Sequence, residues 1–283
     1  MRIYRLINKN DILAAFYLVK VGFYYFAKQI DNPFEIYPMK ILVCISHVPD
    51  TTSKINFIES NTKFDTTGVQ FIIGPYDDYA LARAIELKES TGSTVTVLNV
   101  GTAETEPTIR KALAIGADDA IRVNAEPADS FFVASQIAEQ AKAGGYDLIL
   151  MGRESIDYNS GVVHGIVGEM LGIPSISPVM KLDIDGTKVK MTREIEGGKE
   201  YVEANLPLVA GCQEPIAEWK IPNMRGIMSA KTKPLKVVEP KAVESGVKLR
   251  KFELPAPKGS VKMISADNVS ELVTLLKTEA KVL

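Results

Sequence analysis

The stretch LILMGRESIDYNSGVVHG, residues 148–165, runs from four apolar residues through a polar turn into small residues that open a new apolar pattern. The turn itself is Gly152, Arg153, Glu154, Ser155, Ile156, Asp157, Tyr158, Asn159, Ser160, Gly161, Val162 and Val163. A turn of this kind that leads directly into a helix suits an anion. The first N–H groups of a helix have no intrahelical partner, the dipole end is positive, and glycine lets backbone come close to a ligand. A nucleotide phosphate is the chemistry favoured. Asp157 or Ser160 could equally cap the helix, which needs no ligand at all. Phosphoryl transfer is disfavoured, because Arg153 is the only cation and no paired carboxylates are set for in-line chemistry. The chain contains neither Gly-x-x-x-x-Gly-Lys-Ser/Thr nor Gly-x-Gly-x-x-Gly, so the common nucleotide-binding fingerprints are absent. Neither His47 nor His164 has a helical partner four residues away, and the single Cys44 before His47 makes no metal-ligand pattern, which speaks against zinc and against a catalytic triad.

Those residues are set among alternating strand and helix patterns. KILVCIS (40–46) is a near-continuous apolar run of strand length, as expected of a parallel strand covered on both faces. An irregular segment with hairpin character follows, and then a helix, YALARAIELKEST, with Leu81 and Ile85 four apart and Gly92 as its stop. Strand TVTVLNVG, helix TEPTIRKALAIG and strand DAIRVN come next. Helix DSFFVASQIAEQAKAGG places Val133, Ile137 and Ala141 on one stripe, and strand DLILMG leads into the polar turn. Helix GVVHGIVGEMLG closes the series, with Val163, Ile166 and Met170 expected to pack inward. This repetition predicts an α/β fold: a doubly wound, mostly parallel, Rossmann-like sheet with right-handed crossovers. Ligands then bind beyond the carboxyl ends of the strands, where strand order reverses. Farther on, Asp185-Gly186 and Gly197-Gly198 punctuate alternating segments and predict an antiparallel meander, followed by an extended C-terminal arm.

The chain has 283 residues, 46% of them hydrophobic, enough for a full core. Its net charge of -2 provides no overall field toward nucleic acid or anionic lipid. Cys44 and Cys212 sit in separate apolar runs and read as buried thiols of a reducing, cytoplasmic setting. Residues 1–38 differ in composition from the rest. Their apolar run, 12–26, is interrupted by Lys20 and is shorter than the ~20 residues that span a bilayer. They are expected to be dispensable, with Met39 as the working start. The expected organisation is residues 1–38 as an extension, 39–212 as the nucleotide-binding domain, and 213–283 as a recognition loop and arm.

From Met39 to about Glu239 the chain resembles the electron-transfer flavoprotein beta subunit. Six blocks carry the likeness in order: KILVCISHVPD, GVQFIIGPYDDYALARAIELKE, RKALAIGADDAIRV, DLILMGRESIDYN, TREIEGGKEYVEANLPLV and IPNMRGIMSAKTKPL. The resemblance implies an electron carrier rather than an enzyme. Its partner would be a larger alpha subunit that holds FAD, its donors flavin dehydrogenases such as acyl-CoA dehydrogenases, and its acceptor a quinone oxidoreductase. It implies one structural AMP, lined by Cys44, Gly74, Val100 and the run Gly152 to Val163, with Thr51 and Tyr76 approaching the partner's flavin. Ile221, before Pro222 and Asn223, would anchor on the dehydrogenase, and Glu194 would meet the mobile flavin domain or pair with a hairpin Lys. Neither nucleic acid nor membrane insertion is implied.

The sequence also departs from the family pattern. Ser46-His47 stands where many members have Lys-Gln or Lys-Arg, and Gly74 where Asn usually precedes Pro. AMP-type members place polar side chains where Gly161, Val162 and Val163 stand, while members with a second FAD, which bifurcate electrons and use NAD(H), usually read Asp-Gly-Asp-Thr-Ala-Gln from the position of Asp157. The run here, DYNSGV, matches neither fully, and Tyr158, a bulky ring where the bifurcating pattern has glycine, leaves AMP ahead of FAD or NAD. A stand-alone adenine-nucleotide module of the universal-stress type is the rival from another class. The long tail after Gly211 argues against it. The segment 214–240 is expected to be a recognition element outside the core, because four prolines exclude one continuous helix and its apolar residues are set among lysines.

Overall fold

A computed structural model describes residues 38–257 and 259–283. The extension expected over residues 1–38 falls, but for Pro38, outside the described residues. The chain divides into two units, Met1–Lys54 with Thr67–Lys248 and Ile55–Thr66 with Leu249–Leu283.

In the first unit, strand β1 (Lys40–Cys44) is followed by the short β2 (His47–Pro49), while β3 (Phe57–Ile58) and β4 (Lys63–Phe64) form a hairpin in the second. Next come β5 (Phe71–Ile73), antiparallel to β2, and helix α1 (Pro75–Thr91). The crossovers continue through β6 (Thr94–Val100), α2 (Glu106–Ile115), β7 (Asp119–Val123), α3 (Ser130–Gly144), β8 (Leu148–Gly152) and α4 (Val163–Leu171). The meander is β9 (Ser175–Asp185), β10 (Lys188–Ile195) and β11 (Gly198–Asn205), after which β12 (Leu208–Cys212) returns to the sheet. Helix α5 (Met224–Ala230) and strand β13 (Leu235–Val238) complete the unit, and α6 (Val269–Leu275) lies in the other.

One sheet of nine strands organises the first unit, in the order β11-β10-β9-β12-β8-β1-β6-β7-β13. Its pairs are parallel except β9 with β10 and β10 with β11. Alternation along the strands sorts the core into two layers. Ile41, Val43, Val95, Val97, Leu148 and Leu150 face α1 and α2, whereas Leu42, Cys44, Leu98, Ile149 and Met151 face α3 and α4. Both faces are therefore covered, which is why β1 and β8 carry apolar residues at nearly every position. Helix ends follow local chemistry. Gly92 ends α1 in the left-handed conformation at φ 72°, its N–H bonded to the Lys88 carbonyl, and Gly145 ends α3 at φ 60°. Gly186 and Gly197 supply the positive φ of the meander turns, as expected.

Two expectations need correction. Met170 does not pack inward. It is 39% exposed, and Val167, fully buried, completes the stripe with Val163 and Ile166. The helix ends one residue later, at Leu171, which takes the inward position instead. Nor does the sheet stop at β12. Within the segment expected outside the core, Leu235–Val238 pairs in parallel with Ala120–Val123 as the edge strand, and Ala230 and Ile216 are buried.

The cations of that segment are partly structural. Lys233 donates to the carbonyls of Leu113 and Ala117 at 2.9 and 2.5 Å, satisfying acceptors at the end of α2. Arg110 donates to the carbonyls of Ala230 and Lys233 at 2.9 and 2.8 Å.

In the second unit the aromatic rings pack together. Phe57 stacks on Phe252 with centroids 4.6 Å apart and meets Phe64 edge-on, and the Phe252 N–H donates to the Asn61 carbonyl at 2.7 Å. Among the described residues no helix is long and apolar enough to cross a membrane, and no cluster of His, Cys, Asp and Glu is placed to hold a metal ion.

Candidate functional site

The chain leaves β1 for β6 and β7 on one side, then returns to place β8 on the other, so strand order reverses between β1 and β8. Beyond this switch three backbone segments converge: the end of β1, the end of β8, and the first turn of α1. Two glycines permit the approach. A Cβ on Gly152 would lie 2.6 Å from Asp77 Oδ1 and 2.7 Å from Tyr76 Cβ, and one on Gly74 would lie 2.4 Å from Ser46 Oγ. At the centre is the Asp77 carboxylate, buried to 5% exposure. Its Oδ1 accepts from the Gly152 N–H at 2.7 Å, and its Oδ2 accepts from the Ser46 N–H at 2.8 Å and the Ser46 hydroxyl at 2.5 Å. Burial raises the pKa of Asp77 to about 6, against the three hydrogen bonds, which lower it.

Sequence reading missed Asp77. Its only signal was an acid in the first turn of a helix that begins with proline, a common arrangement on any helix. The same geometry accounts for the departure at Ser46-His47. Ser46 supplies a hydroxyl to the buried carboxylate, and the His47 ring stacks on Phe71 at 4.4 Å with Nδ1 2.8 Å from Thr108 Oγ1. Burial lowers the pKa of His47.

From Gly152 the turn swings out toward solvent. Asn159 and Gly161 adopt positive φ, 49° and 59°, and the Asn159 N–H donates to the Ser155 carbonyl at 2.8 Å. Tyr158 is 68% exposed and Val162 is exposed. The alternative to a ligand, capping of α4 by Asp157 or Ser160, is not what forms. Val162 is the N-cap and brings no side-chain acceptor; Asp157 Oδ1 accepts instead from the Tyr158 N–H at 2.8 Å, and Ser160 Oγ from the Ser130 hydroxyl at 2.9 Å. The cause is the pair of left-handed residues, which carry the chain past both side chains before the helix begins. The start of α4 therefore keeps its N–H groups free of side-chain caps. Inside the turn, the Ser155 hydroxyl is buried with no hydrogen-bond partner.

Arg153 belongs to a different network. It donates to Gln213 Oε1 at 2.9 Å, pairs with Glu154 at 3.2 Å, and lies 5.3 Å over the Tyr76 ring. Gln213 in turn donates to Glu194 Oε2 at 2.6 Å. Four residues far apart in sequence, Tyr76, Arg153, Glu194 and Gln213, thus meet at the strand ends. Glu194 does not make the hairpin pair with a Lys; the ion pair of that hairpin is Arg193 with Glu200. Gln213 carried no sequence signal.

Cys44 and Val100 end neighbouring strands, but their side chains lie in the core beneath α3 and α4. Burial raises the Cys44 thiol far above its ordinary value and Cys212 to about 12, so neither is a nucleophile. Thr51 is exposed just beyond β2. Ile221 is 71% exposed, Pro222 is half-buried, and Asn223 caps α5 by accepting from the Gly226 N–H at 2.8 Å.

With this geometry in place, similarity to known proteins decides the family. The model of the "Electron transfer flavoprotein domain" matches residues 61–243. The Bacillus subtilis protein named electron transfer flavoprotein subunit beta is 37% identical over 259 residues, covering 87% of this chain and 100% of its own. The Syntrophomonas wolfei protein of the same name is 37% identical over 224 residues (78% and 88%), and that of Bradyrhizobium diazoefficiens 31% over 252 residues (87% and 100%). Together with a doubly wound sheet whose switch point opens onto a polar turn, these likenesses show that the chain belongs to the electron transfer flavoprotein beta subunit family.

Proposed function

We propose that this protein forms a heterodimer with a larger alpha subunit that holds FAD, and that the pair accepts electrons from flavin dehydrogenases, acyl-CoA dehydrogenases among them, and passes them to a quinone oxidoreductase. The flavin, when bound, supplies the redox chemistry. The residues of this chain bind, orient and dock. In this reading one AMP occupies the turn 152–163 as a structural ligand.

The observation that carries the nucleotide assignment is the start of α4, whose N–H groups have no side-chain cap; earlier in the same turn the Ser155 hydroxyl is buried and has no partner. A phosphate would satisfy the free N–H groups of the helix start, which the chain reaches through Gly161 at positive φ. The phosphate is held by backbone dipoles rather than by a cation, since Arg153 is committed to Gln213, Glu154 and Tyr76. Thr51 and Tyr76 face the partner's flavin in this reading. Ile221, apolar and exposed beside the charged Lys220 and Arg225, has the layout of a docking anchor.

The test is heat extraction of the purified full chain, alone and with its alpha subunit. About one AMP per chain and FAD only with the alpha subunit are expected. Recovery of FAD from this chain alone, with reduction of the complex by NADH, would instead support the bifurcating reading, and ATP turnover by the lone chain would sink the electron-carrier assignment.

A further inference from the structure

We infer that Asp77 is the positioning residue of the nucleotide site, holding the root of the turn 152–163 against the end of β1 and the first turn of α1. This rests on the nucleotide assignment above and deepens it.

The register shows why such a brace is needed. Strands β1 and β8 pair only from Ile41 with Leu148 to Val43 with Leu150. Past that point they diverge to open the crevice, and no ladder bond holds Gly152 to the β1 side. The Asp77 carboxylate replaces the missing ladder. One oxygen takes the Gly152 N–H, and the other takes both donors of Ser46, two residues beyond β1. Because all three groups are donors, only an acceptor-only side chain satisfies them together. Asparagine would set its NH2 against a donor and leave that group unsatisfied in a buried site. The carboxylate is admitted because Gly74 and Gly152 carry no side chain: a Cβ on Gly74 would lie 2.5 Å from its Oδ2, and one on Gly152 2.6 Å from its Oδ1. Arg153 follows Gly152 directly and bonds by its own N–H to the Cys212 carbonyl at 2.9 Å, so the root of the turn is held by β12 on one flank and by Asp77 on the other.

The carboxylate is also placed to titrate within the range of ordinary buffers. Around it are Asp78, whose charge raises its pKa, the neutral thiols of Cys44 and Cys212, and Arg153 over the adjoining Tyr76 ring. Protonation puts a hydrogen on an oxygen that faces donors. The hold on Gly152 is then weakened, and affinity for the nucleotide falls as pH drops through about 6.

The experiment is a calorimetric titration of AMP into the full-length, nucleotide-stripped chain between pH 5 and 8, for the wild type, Asp77→Asn and Ser46→Ala, with hydrogen exchange read at the Gly152 amide. The phosphate of AMP titrates near pH 6 by itself, so the comparison is between profiles rather than within one. Expected for Asp77→Asn is a loss of about 10- to 100-fold in affinity at pH 8, faster exchange at Gly152, and only the phosphate's own pH dependence. Ser46→Ala, which keeps the backbone donors but loses the hydroxyl that holds the Asp77 pKa down, is expected to lose about three- to tenfold and to move the fall in affinity to higher pH. Equal affinity and superposable profiles for the wild type and Asp77→Asn would overturn the positioning role. A wild-type chain that binds no AMP at any pH would overturn the nucleotide assignment itself, a distinguishable failure. Should Asp77→Asn fail to fold, Ser46→Ala with unchanged affinity and unchanged Gly152 exchange would overturn the inference.

Discussion

At the scale of single residues, the site is governed by what a missing Cβ permits. The sequence singles out Gly152 as the start of the polar turn but not as the neighbour of a buried carboxylate. The structure supplies that neighbour: the atom that alanine would add falls 2.6 Å from one carboxylate oxygen and 3.0 Å from the Asp77 nitrogen. Gly152→Ala is expected to destabilise the fold by about 1–3 kcal/mol, read from the urea midpoint. Asp77 itself has a definite pH signature. Its folded pKa, about 6, lies above the ordinary 3.8, so the native state binds more protons in that interval. The contribution to stability is therefore fully present below pH ~4 and is lost as pH rises through about 6, a change on the order of 3 kcal/mol. Urea melts of wild type and Asp77→Asn across pH 4–8 should diverge with that sign; parallel curves would show that the carboxyl titrates normally.

At the scale of elements, helix α5 and strand β13 show how tertiary partners redefine a charged segment. Lysines scattered through residues 214–240 suggest a solvated arm, and Lys231 and Lys236 are indeed exposed. Lys233 instead caps α2 from a distance, through the Leu113 and Ala117 carbonyls, and burial lowers its pKa. Lys233→Met should cost about 1–3 kcal/mol, because it orphans two carbonyls, whereas Lys231→Met and Lys236→Met should stay within about 0.5 kcal/mol. Denaturant midpoints of the three variants check this. The start of α4 makes the complementary point: an element whose N-terminus has no side-chain cap leaves room for a ligand to act as one. Ser160→Glu would place a carboxylate in competition for those N–H groups. The purified variant is expected to carry less than about a tenth of the wild-type AMP, measured by extraction. Full nucleotide content would move the site elsewhere.

At the scale of the whole molecule, the first unit presents two regions to which the proposed function assigns roles: the strand-end crevice with its turn, and the exposed Ile221 with Met224 and Met228 around α5. These are separable. Because Ile221 is 71% exposed, Ile221→Ala should leave the melting temperature within experimental error, together with bound AMP and heterodimer assembly. In the reconstituted heterodimer it should slow electron transfer from the partner dehydrogenase by about tenfold. Lost assembly would make the segment structural, and unchanged kinetics would remove Ile221 as the anchor.

What the sequence determined by itself is the part of the fold that depends on local patterning. Apolar runs of strand length, helical stripes ended by Gly92 and Gly145, and the glycine turns of the meander all repeat a short-range rule of side-chain direction or backbone freedom. The polar turn after β8 was legible for the same reason, since the sheet architecture fixes where strand ends lie. Only the tertiary structure decided which side chains serve that turn. Asp77 is 75 residues from Gly152, Gln213 is 60 from Arg153, and Lys233 is 120 from Leu113. Each of these contacts depends on strand order and on the opposed windings on either side of β1, which no local window contains. The edge strand β13 was missed because LKVV with proline before it is too short and too charged to stand out; pairing with Ala120–Val123 makes it a strand. The alternative of a side-chain cap falls on the same physical ground: two residues at positive φ, Asn159 and Gly161, lead the chain past both candidate capping side chains before the helix starts.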